Sequence, residues 1–326
     1  MAQPKPTLNL VGAGRVGQTL ARLWTQTGVF AVQDVLTRSP ASARAACGFI
    51  GAGEPVHSLD MMRPADIWLI ATTDAHIAAS AKALAAHASP WANSAAASLS
   101  RQTGLANAAV TGLAVSTPCP TAFHCSGALG ADQLAPLAAL GWNTASAHPI
   151  LSFATAQAAC AQFVGTPCAL EGDPAARALL QDAFSAIGAQ CFEVRSQDKL
   201  LYHAAAVFAT NFLPVLQSVA EDAWRSTGVP AALLPHLRTS LLHNAVANIT
   251  RLGPQGALTG PAARGDIAAI ASQAAAVGAW DEKAGDAYRA LSALALRLAG
   301  HGPASGGATG HGRIKDCSLP PETGLL

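Results

Sequence analysis

Three glycines stand at the spacing G-x-G-x-x-G in Gly12-Ala13-Gly14-Arg15-Val16-Gly17. Without side chains, the backbone can turn tightly at Gly12, approach a pyrophosphate at Gly14 and let a helix pack on a strand at Gly17. The helix start that follows offers unpaired N–H groups and the positive end of its dipole to phosphates. Gly12, Ala13, Gly14, Arg15, Val16 and Gly17 are therefore the expected phosphate-binding residues of a dinucleotide site. The six-residue signal is weak alone, but its context fits. Thr7–Val11 is an apolar strand just before it, and Thr19–Trp24 has a helical pattern just after.

The next strand, Phe30 to Leu36, bears on which dinucleotide is bound. Asp34 lies about 20 residues past the glycines, where an acid holding the ribose 2′-hydroxyl would stand by count. Val35 and Leu36 continue the apolar strand beyond it, however, and Pro40 stops the strand. Asp34 is then mid-strand, and Thr37, Arg38 and Ser39 occupy the carboxyl end that meets the ribose. An arginine between two hydroxyls suits a 2′-phosphate through charge-assisted hydrogen bonds, so the expected cofactor is NADP(H). As the alternative, Arg38 is a solvated loop residue. A further buried strand, Asp66 to Ile70, ends in Ala71, Thr72 and Thr73, expected beside the nicotinamide-side ribose and pyrophosphate, with Asp74 as N-cap of the next helix.

Beyond the cofactor loop stand four polar clusters. His124, Ser126 and Gly127 fall at a strand end, the place where ligands bind in doubly wound folds; they contact substrate or nicotinamide, or hold the turn together. His148 ends another short strand before Pro149 and is a candidate proton donor to a carbonyl or imine, or a structural histidine. His203 and Asn211 sit in an apolar helical segment expected over Asp198–Gln217, eight residues and about 80° apart. Polar groups there need partners, since burying one unpaired costs about 1–3 kcal/mol; they bond other helices or line a site. Arg264, before the turn into the helix at Ile267, can clamp a substrate carboxylate bidentately or cap a surface turn.

The elements that must position these groups alternate strand and helix over about 150 residues, the pattern of a doubly wound parallel sheet. Later strands are expected at Val110–Ser116, Ala122–Cys125 and Gln190–Val194. Helices follow at Pro174–Ile187, Glu221–Thr227, Ala231–Arg251, Ile267–Val277 and Glu282–Leu298. The fold class read from this is α/β, an N-terminal Rossmann-like domain over 1–148 and an all-α domain over 149–300, with a Gly-rich flexible tail at 301–326. The helical faces are richer in Ala and Leu than one small bundle needs, which predicts a homodimer through that domain.

The chain has 326 residues, 51% hydrophobic and 12% charged, with 20 basic against 19 acidic side chains. This composition excludes an intrinsically disordered chain, and the balance without a basic cluster argues against nucleic acid or an anionic membrane as partner. Seven cysteines without a C-x-x-C predict reduced thiols. His124 and Cys125 lack a second ligand pair at zinc spacing, so no metal is expected. No long apolar signal precedes the first strand, and the uncharged stretch from Gln133 to Leu170 is too polar for a bilayer span. A cytoplasmic protein is expected.

The G-x-G-x-x-G loop, His124-Cys125-Ser126-Gly127-Ala128-Leu129-Gly130, Ser146-Ala147-His148-Pro149-Ile150, Tyr202 to Phe212 and Thr259 to Asp266 occur here in one order. Together they resemble a bacterial family pairing a Rossmann-like NADP oxidoreductase domain with a C-terminal helical domain of unknown function. The resemblance covers Leu8 to about Leu298. It implies a relation to the 6-phosphogluconate and 3-hydroxyisobutyrate dehydrogenases, pyrroline-5-carboxylate reductase and prephenate dehydrogenase. In those enzymes hydride passes between a nicotinamide cofactor and a small acid in a cleft between domains. The hydroxyacid dehydrogenases set a catalytic Lys four residues before an Asn; here Val207 stands at that spacing before Asn211, so their lysine mechanism does not carry over.

These readings converge on an NADP(H)-dependent oxidoreductase acting on a small polar C=O or C=N substrate. In it His148 or His203 passes the proton, Asn211 orients the reacting group and Arg264 holds a carboxylate. The rival from another class is a non-catalytic NADP(H)-binding redox sensor or regulatory protein.

Overall fold

The computed structural model describes residues 4–102 and 119–301, with the backbone alone over 89–102. Chain order is β1 (Thr7–Val11), α1 (Arg15–Thr27), β2 (Ala31–Leu36), α2 (Pro40–Ile50), β3 (Glu54–Val56), β4 (Ile67–Ile70), α3 (Asp74–Gln102), β5 (Thr121–His124), α4 (Ala135–Ala138), β6 (Asn143–Pro149), α5 (Ala156–Gln162), β7 (Pro167–Gly172), α6 (Pro174–Ser185) and β8 (Gln190–Glu193). After these come α7 (Lys199–Ala206), a π turn over Val207–Asn211, α8 (Phe212–Ser226), α9 (Leu234–Ala257, broken at Gly253), α10 (Gly260–Arg264), α11 (Ile267–Trp280) and α12 (Glu282–Leu298). The strand expected at Val110–Ser116 and the tail from residue 302 lie outside the described residues.

All eight strands form one sheet in the order β3-β2-β1-β4-β5-β6-β7-β8. Neighbours are parallel except at β6–β7, so the last two strands run against the other six. This is the doubly wound Rossmann-like sheet read from the sequence. Helices cover both faces, as a parallel sheet requires. On one face Leu8, Leu10, Leu20, Phe123, Phe163 and Phe184 surround Trp24. The Trp24 ring meets Phe30, Phe123 and Phe184 edge to face at 5.2, 6.1 and 5.3 Å, and its indole N–H donates to Ala183 C=O at 2.8 Å. On the other, Trp68, Ile70, Ile77, Leu84 and Ala122 pack together.

Two compact units divide the chain, Met1–Asn211 and Phe212–Leu326. The domain boundary expected after residue 148 therefore lies later, because β7 and β8 extend the sheet. β7 escapes a reading based on βα alternation, since it pairs back on β6 antiparallel and only α5 separates the two. In the second unit α11 and α12 approach closely: a Cβ on Gly285 would sit 2.6 Å from Gly278 Cα. Leu234, Ala274 and Gly285 are the residues of its α9, α11 and α12 helices that are buried. One stretch, Ser196–Ser226, is long and apolar enough by length and composition to cross a membrane, with a mean hydropathy of 1.3.

Candidate active site

Strand register gathers the chemistry-bearing turns on one edge of the sheet. Val11 pairs with Leu36 and Ile70, Ile70 with His124, and His124 with Ser146. The segments leaving those ends are the glycine loop, Thr37–Ser39, Ala71–Thr73 and Cys125–Gly127, and His148 lies two residues past Ser146. Carboxyl ends of parallel strands are where doubly wound folds bind ligands.

In the glycine loop, Gly12 has φ +88°, and a Cβ there would come within 2.8–2.9 Å of the Ala71 carbonyl and Thr72 N. A Cβ on Gly17 would stand 2.9 Å from Ala71 Cβ, so α1 lies directly on the end of β4. Gly14 differs, because its missing side chain faces open space beyond a single atom at 4.0 Å. Gly14 is also the N-cap of α1, with no side-chain cap and no acid in the first turn, so the first N–H groups keep their capacity for an anion. Thr72 Oγ1 is buried with no partner among the described residues. A cradle closed by Gly12 and Gly17, open at Gly14, with an uncapped helix and an orphaned hydroxyl beside it, fits a bound dinucleotide phosphate. Arg15 is exposed and donates to Ala154 C=O at 3.3 Å.

Asp34 is buried within β2, and its carboxylate accepts from the Arg63 backbone N–H at 2.7 Å and from the Arg63 guanidinium. It is therefore tied inside the sheet, mid-strand as the sequence indicates. Thr37 Oγ1 donates to Ser39 C=O at 2.8 Å, and Ser39 Oγ caps α2 by accepting from Ser42 N. Those hydroxyls are held locally. Arg38 between them is exposed, with no hydrogen bond or ion pair among the described residues. Thr73 Oγ1 pairs with His76 Nδ1 at 2.8 Å.

His124 and Ser126 are committed to the turn. His124 is fully buried, its Nε2 paired with Gly130 C=O at 2.9 Å and its Nδ1 accepting from Ser126 N–H at 3.2 Å. Burial holds it below the usual histidine range, so it is a neutral Nε2–H tautomer. Ser126 Oγ donates to Asp74 Oδ2 at 2.8 Å and accepts from Leu129 N at 3.0 Å. Of this trio only Gly127 faces the histidines. A Cβ on it would lie 2.4 Å from His203 Nδ1 and 2.8 Å from His148 Nε2.

Lys199, Tyr202 and His203 stand at i, i+3 and i+4 on α7 and so share one helix face. The His148 and His203 rings meet edge to face at 5.6 Å. Burial pushes His148 down to about 4, and the neighbouring His203 and Lys199 add to the effect. His203 Nδ1 is buried with no partner among the described residues. From this pair opens a pocket of about 180 Å³ lined by residues that include His148, Ser152, His203, Val207, Thr210 and Asn211. The π turn sets that alignment. An i→i+5 turn takes up one residue more than an α turn, so the eight residues from His203 to Asn211 count as about seven, or two turns. The 80° offset expected for a regular helix is thereby removed. Arg264 ends α10 in the second unit and is exposed.

Sequence reasoning passed over Lys199 and Tyr202 as site residues. Lys199 is 1% exposed, and its Nζ donates to Ser146 Oγ at 2.6 Å and Ser126 C=O at 3.1 Å. Ser146 Oγ passes the chain to Glu171 at 3.0 Å, which also accepts from Ala131 N and Ser196 Oγ. Burial lowers the Lys199 ammonium, with Glu171 the chief opposing charge. The readable signal was a lysine one turn before a histidine at the start of an apolar helix.

Residues 166–295 match the family model of a domain of unknown function (DUF2520). The match thus takes in the last two strands of the sheet together with most of the helical unit. No curated protein sequence matches the chain. Among solved structures, protein TM1727 from Thermotoga maritima is similar, with a TM-score of 0.65 at 21% identity over 90% of this chain and 98% of that one. BF3122 from Bacteroides fragilis, itself proposed to be an NADP oxidoreductase, aligns with a TM-score of 0.62 at 19% identity over 90% and 98%. An imine reductase from Myxococcus stipitatus in complex with NADP⁺ gives 0.57 at 16% identity over 91% and 96%. At these identities the likeness is one of fold. It bears out the Rossmann-like sheet with a C-terminal helical domain of unknown function that the five motifs indicate.

Proposed function

We propose that the protein is an NADP(H)-dependent oxidoreductase that reduces, or forms by oxidation, a small polar C=O or C=N group beside His148 and His203. The observation that carries this reading is the shared sheet edge. A phosphate cradle and a pocket containing two histidines follow from paired ends of the same strands. The fold neighbours include proteins named as NADP oxidoreductases or reductases, which supports the same class. Gly12–Gly17 and Ala71–Thr73 would hold the dinucleotide, and Arg38, exposed at the end of β2 with no partner among the described residues, would meet a 2′-phosphate. When bound, the cofactor supplies or accepts hydride.

The chain's own groups supply the rest. His148 and His203 bring their ring nitrogens to the pocket, and one of them exchanges a proton with the reacting oxygen or nitrogen. Asn211 hydrogen-bonds and orients that group, and Lys199 with Asp74 fixes the turn at Gly127 that the rings rest on. Numerous exposed apolar side chains of α8, α9 and α12, such as Leu213, Val215, Leu241, Ile249 and Leu294, support a homodimer through the helical unit. A cytoplasmic enzyme is part of the same reading.

A thermal-shift titration with NADPH, NADP⁺, NADH and NAD⁺ tests the cofactor. A ligand at 100 times its Kd adds about 2.7 kcal/mol of stability. Stabilisation by the phosphorylated pair alone is expected, and no shift with any of the four overturns the reading. NADPH oxidation across a panel of small keto and imino compounds then tests catalysis. Binding without turnover on any of them favours the sensor.

A further inference from the structure

Tyr202 lies on the same helix face as His203, with its hydroxyl 2.8 Å from His148 Nδ1. The two rings are perpendicular, 5.6 Å apart, and Phe192 of β8 packs on the tyrosine from the other side at 6.2 Å. Either group can donate across such a contact, and hydrogen-bond inventory decides between them. Were His148 Nδ1–H the donor, the phenolic proton of a partly buried tyrosine would need an acceptor elsewhere. Among the described residues the Tyr202 hydroxyl has no other hydrogen-bond partner. Burial also raises the phenol above its ordinary range, so the proton stays on oxygen. The hydroxyl therefore donates to Nδ1, and the ring proton of neutral His148 sits on Nε2. That nitrogen is the one beside Gly127, as is His203 Nδ1, which has no partner among the described residues.

We propose that Tyr202 is a positioning residue that locks His148 as the Nε2–H tautomer, and that the two histidines divide their work accordingly. His148 offers a fixed, neutral hydrogen-bond donor to the reacting oxygen or nitrogen. His203, whose buried Nδ1 has no partner among the described residues, is the group that passes the proton: in the reductive direction it gives one to that atom and regains one from solvent. This assignment rests on the oxidoreductase reading, whereas the tautomer rests on the His148–Tyr202 contact and on the hydroxyl's having no other partner among the described residues. The charged and titratable groups facing His148 are Tyr202, His203 and Lys199 from α7 and Asp74 from α3. His203 and Lys199 both oppose a positive charge at His148, and Asp74 favours it.

The test is imidazole ¹⁵N–¹H multiple-bond correlation on the full chain labelled at histidine, without cofactor or substrate. His148→Gln assigns the signal by its disappearance. Wild type is expected to show His148 as Nε2–H, with no titration between pH 8 and 5.5. Tyr202→Phe keeps the ring packing and removes only the hydroxyl. The Nδ1–H share should then rise about fivefold, as for loss of one hydrogen bond of ordinary strength, and the His148 titration midpoint should move up. An Nδ1–H signal in wild type overturns the proposal, as does an unchanged tautomer ratio in Tyr202→Phe. Since neither readout needs turnover, failure of the oxidoreductase reading would be seen separately, in the nucleotide titration.

Discussion

The His148 environment makes a prediction about stability that needs no substrate. Its imidazole falls from an ordinary value of 6.5 to about 4 in the folded protein, through burial first and the neighbouring His203 and Lys199 next. The unfolded chain therefore binds a proton at this side chain below pH 6.5, whereas the folded protein resists it until about pH 4. Stability from this group is complete above pH 6.5 and is lost as pH falls across that window. A shift of about 2.5 units at 1.36 kcal/mol each gives about 3 kcal/mol in full, and about 2 kcal/mol of it is gone by pH 5. Urea unfolding of wild type and His148→Gln at pH 7.5 and pH 5 reads the difference. Carboxylates and histidines remote from His148 titrate in both proteins and cancel between them, and the coupling of His148 to His203 and Asp74 is part of the difference read. Wild type should lose about 2 kcal/mol more than the variant over that interval. Equal losses would mean that His148 is solvated or already charged in the fold, and the neutral-donor role would go with it.

Other outcomes follow from the same geometry. Arg38→Ala should weaken NADPH binding about 10- to 100-fold and leave NADH nearly unchanged in parallel isothermal titrations, the range for losing charge-assisted hydrogen bonds; equal losses for both would remove Arg38 from the 2′-phosphate. A Cβ on Gly127 would sit 2.4 Å from His203 Nδ1, so Gly127→Ala should displace that ring and abolish turnover while the NADPH dissociation constant stays within about twofold. Lys199→Met leaves Ser146 Oγ and the Ser126 carbonyl without their buried donor and Glu171 without its opposing charge, and should cost about 2–4 kcal/mol by urea unfolding; a neutral change would show that the Ser146–Glu171 chain is wet.

What the sequence made legible follows a physical division. β1 and the glycine loop were readable because their signal is local: an apolar run, glycines at turn spacing and a helix start within about 20 residues. Asp34 and Arg38 were separable because two apolar residues after Asp34 place it inside the strand, where it is found bound to Arg63. Of the last two strands β8 is legible, at Gln190–Val194 in the sequence and Gln190–Glu193 in the structure, whereas β7 is not. β7 owes its place to antiparallel pairing with β6, in which His148 faces Ala169, and no local pattern announces a partner about 20 residues away. Its recovery moves the unit boundary to Asn211 and brings β8, and hence α7, onto the sheet.

The candidate site shows the same limit at finer scale. His203 and Asn211 were singled out because polar groups in an apolar helix need partners, and that argument holds wherever the helix lies. Their mutual angle departs from that of a regular 3.6-residue repeat because the helix widens to a π turn across Val207–Asn211. Single-turn π bulges gather at functional positions because they re-aim side chains at the cost of one strained turn. Here the bulge brings Asn211 round to the pocket that His203 lines. Deleting one residue of Phe208–Thr210 would close the bulge to a regular α turn and leave seven residues, about two turns, between His203 and the amide, so the two would stay aligned. Removing the amide itself is therefore the informative perturbation. A role for Asn211 in orienting the reacting group predicts a fall in turnover with unchanged nucleotide affinity for Asn211→Ala. If Asn211→Ala is silent, the amide is bonded within the helix by Thr210, whose hydroxyl lies 2.9 Å from Asn211 Oδ1, and the bulge is serving the helix rather than the substrate.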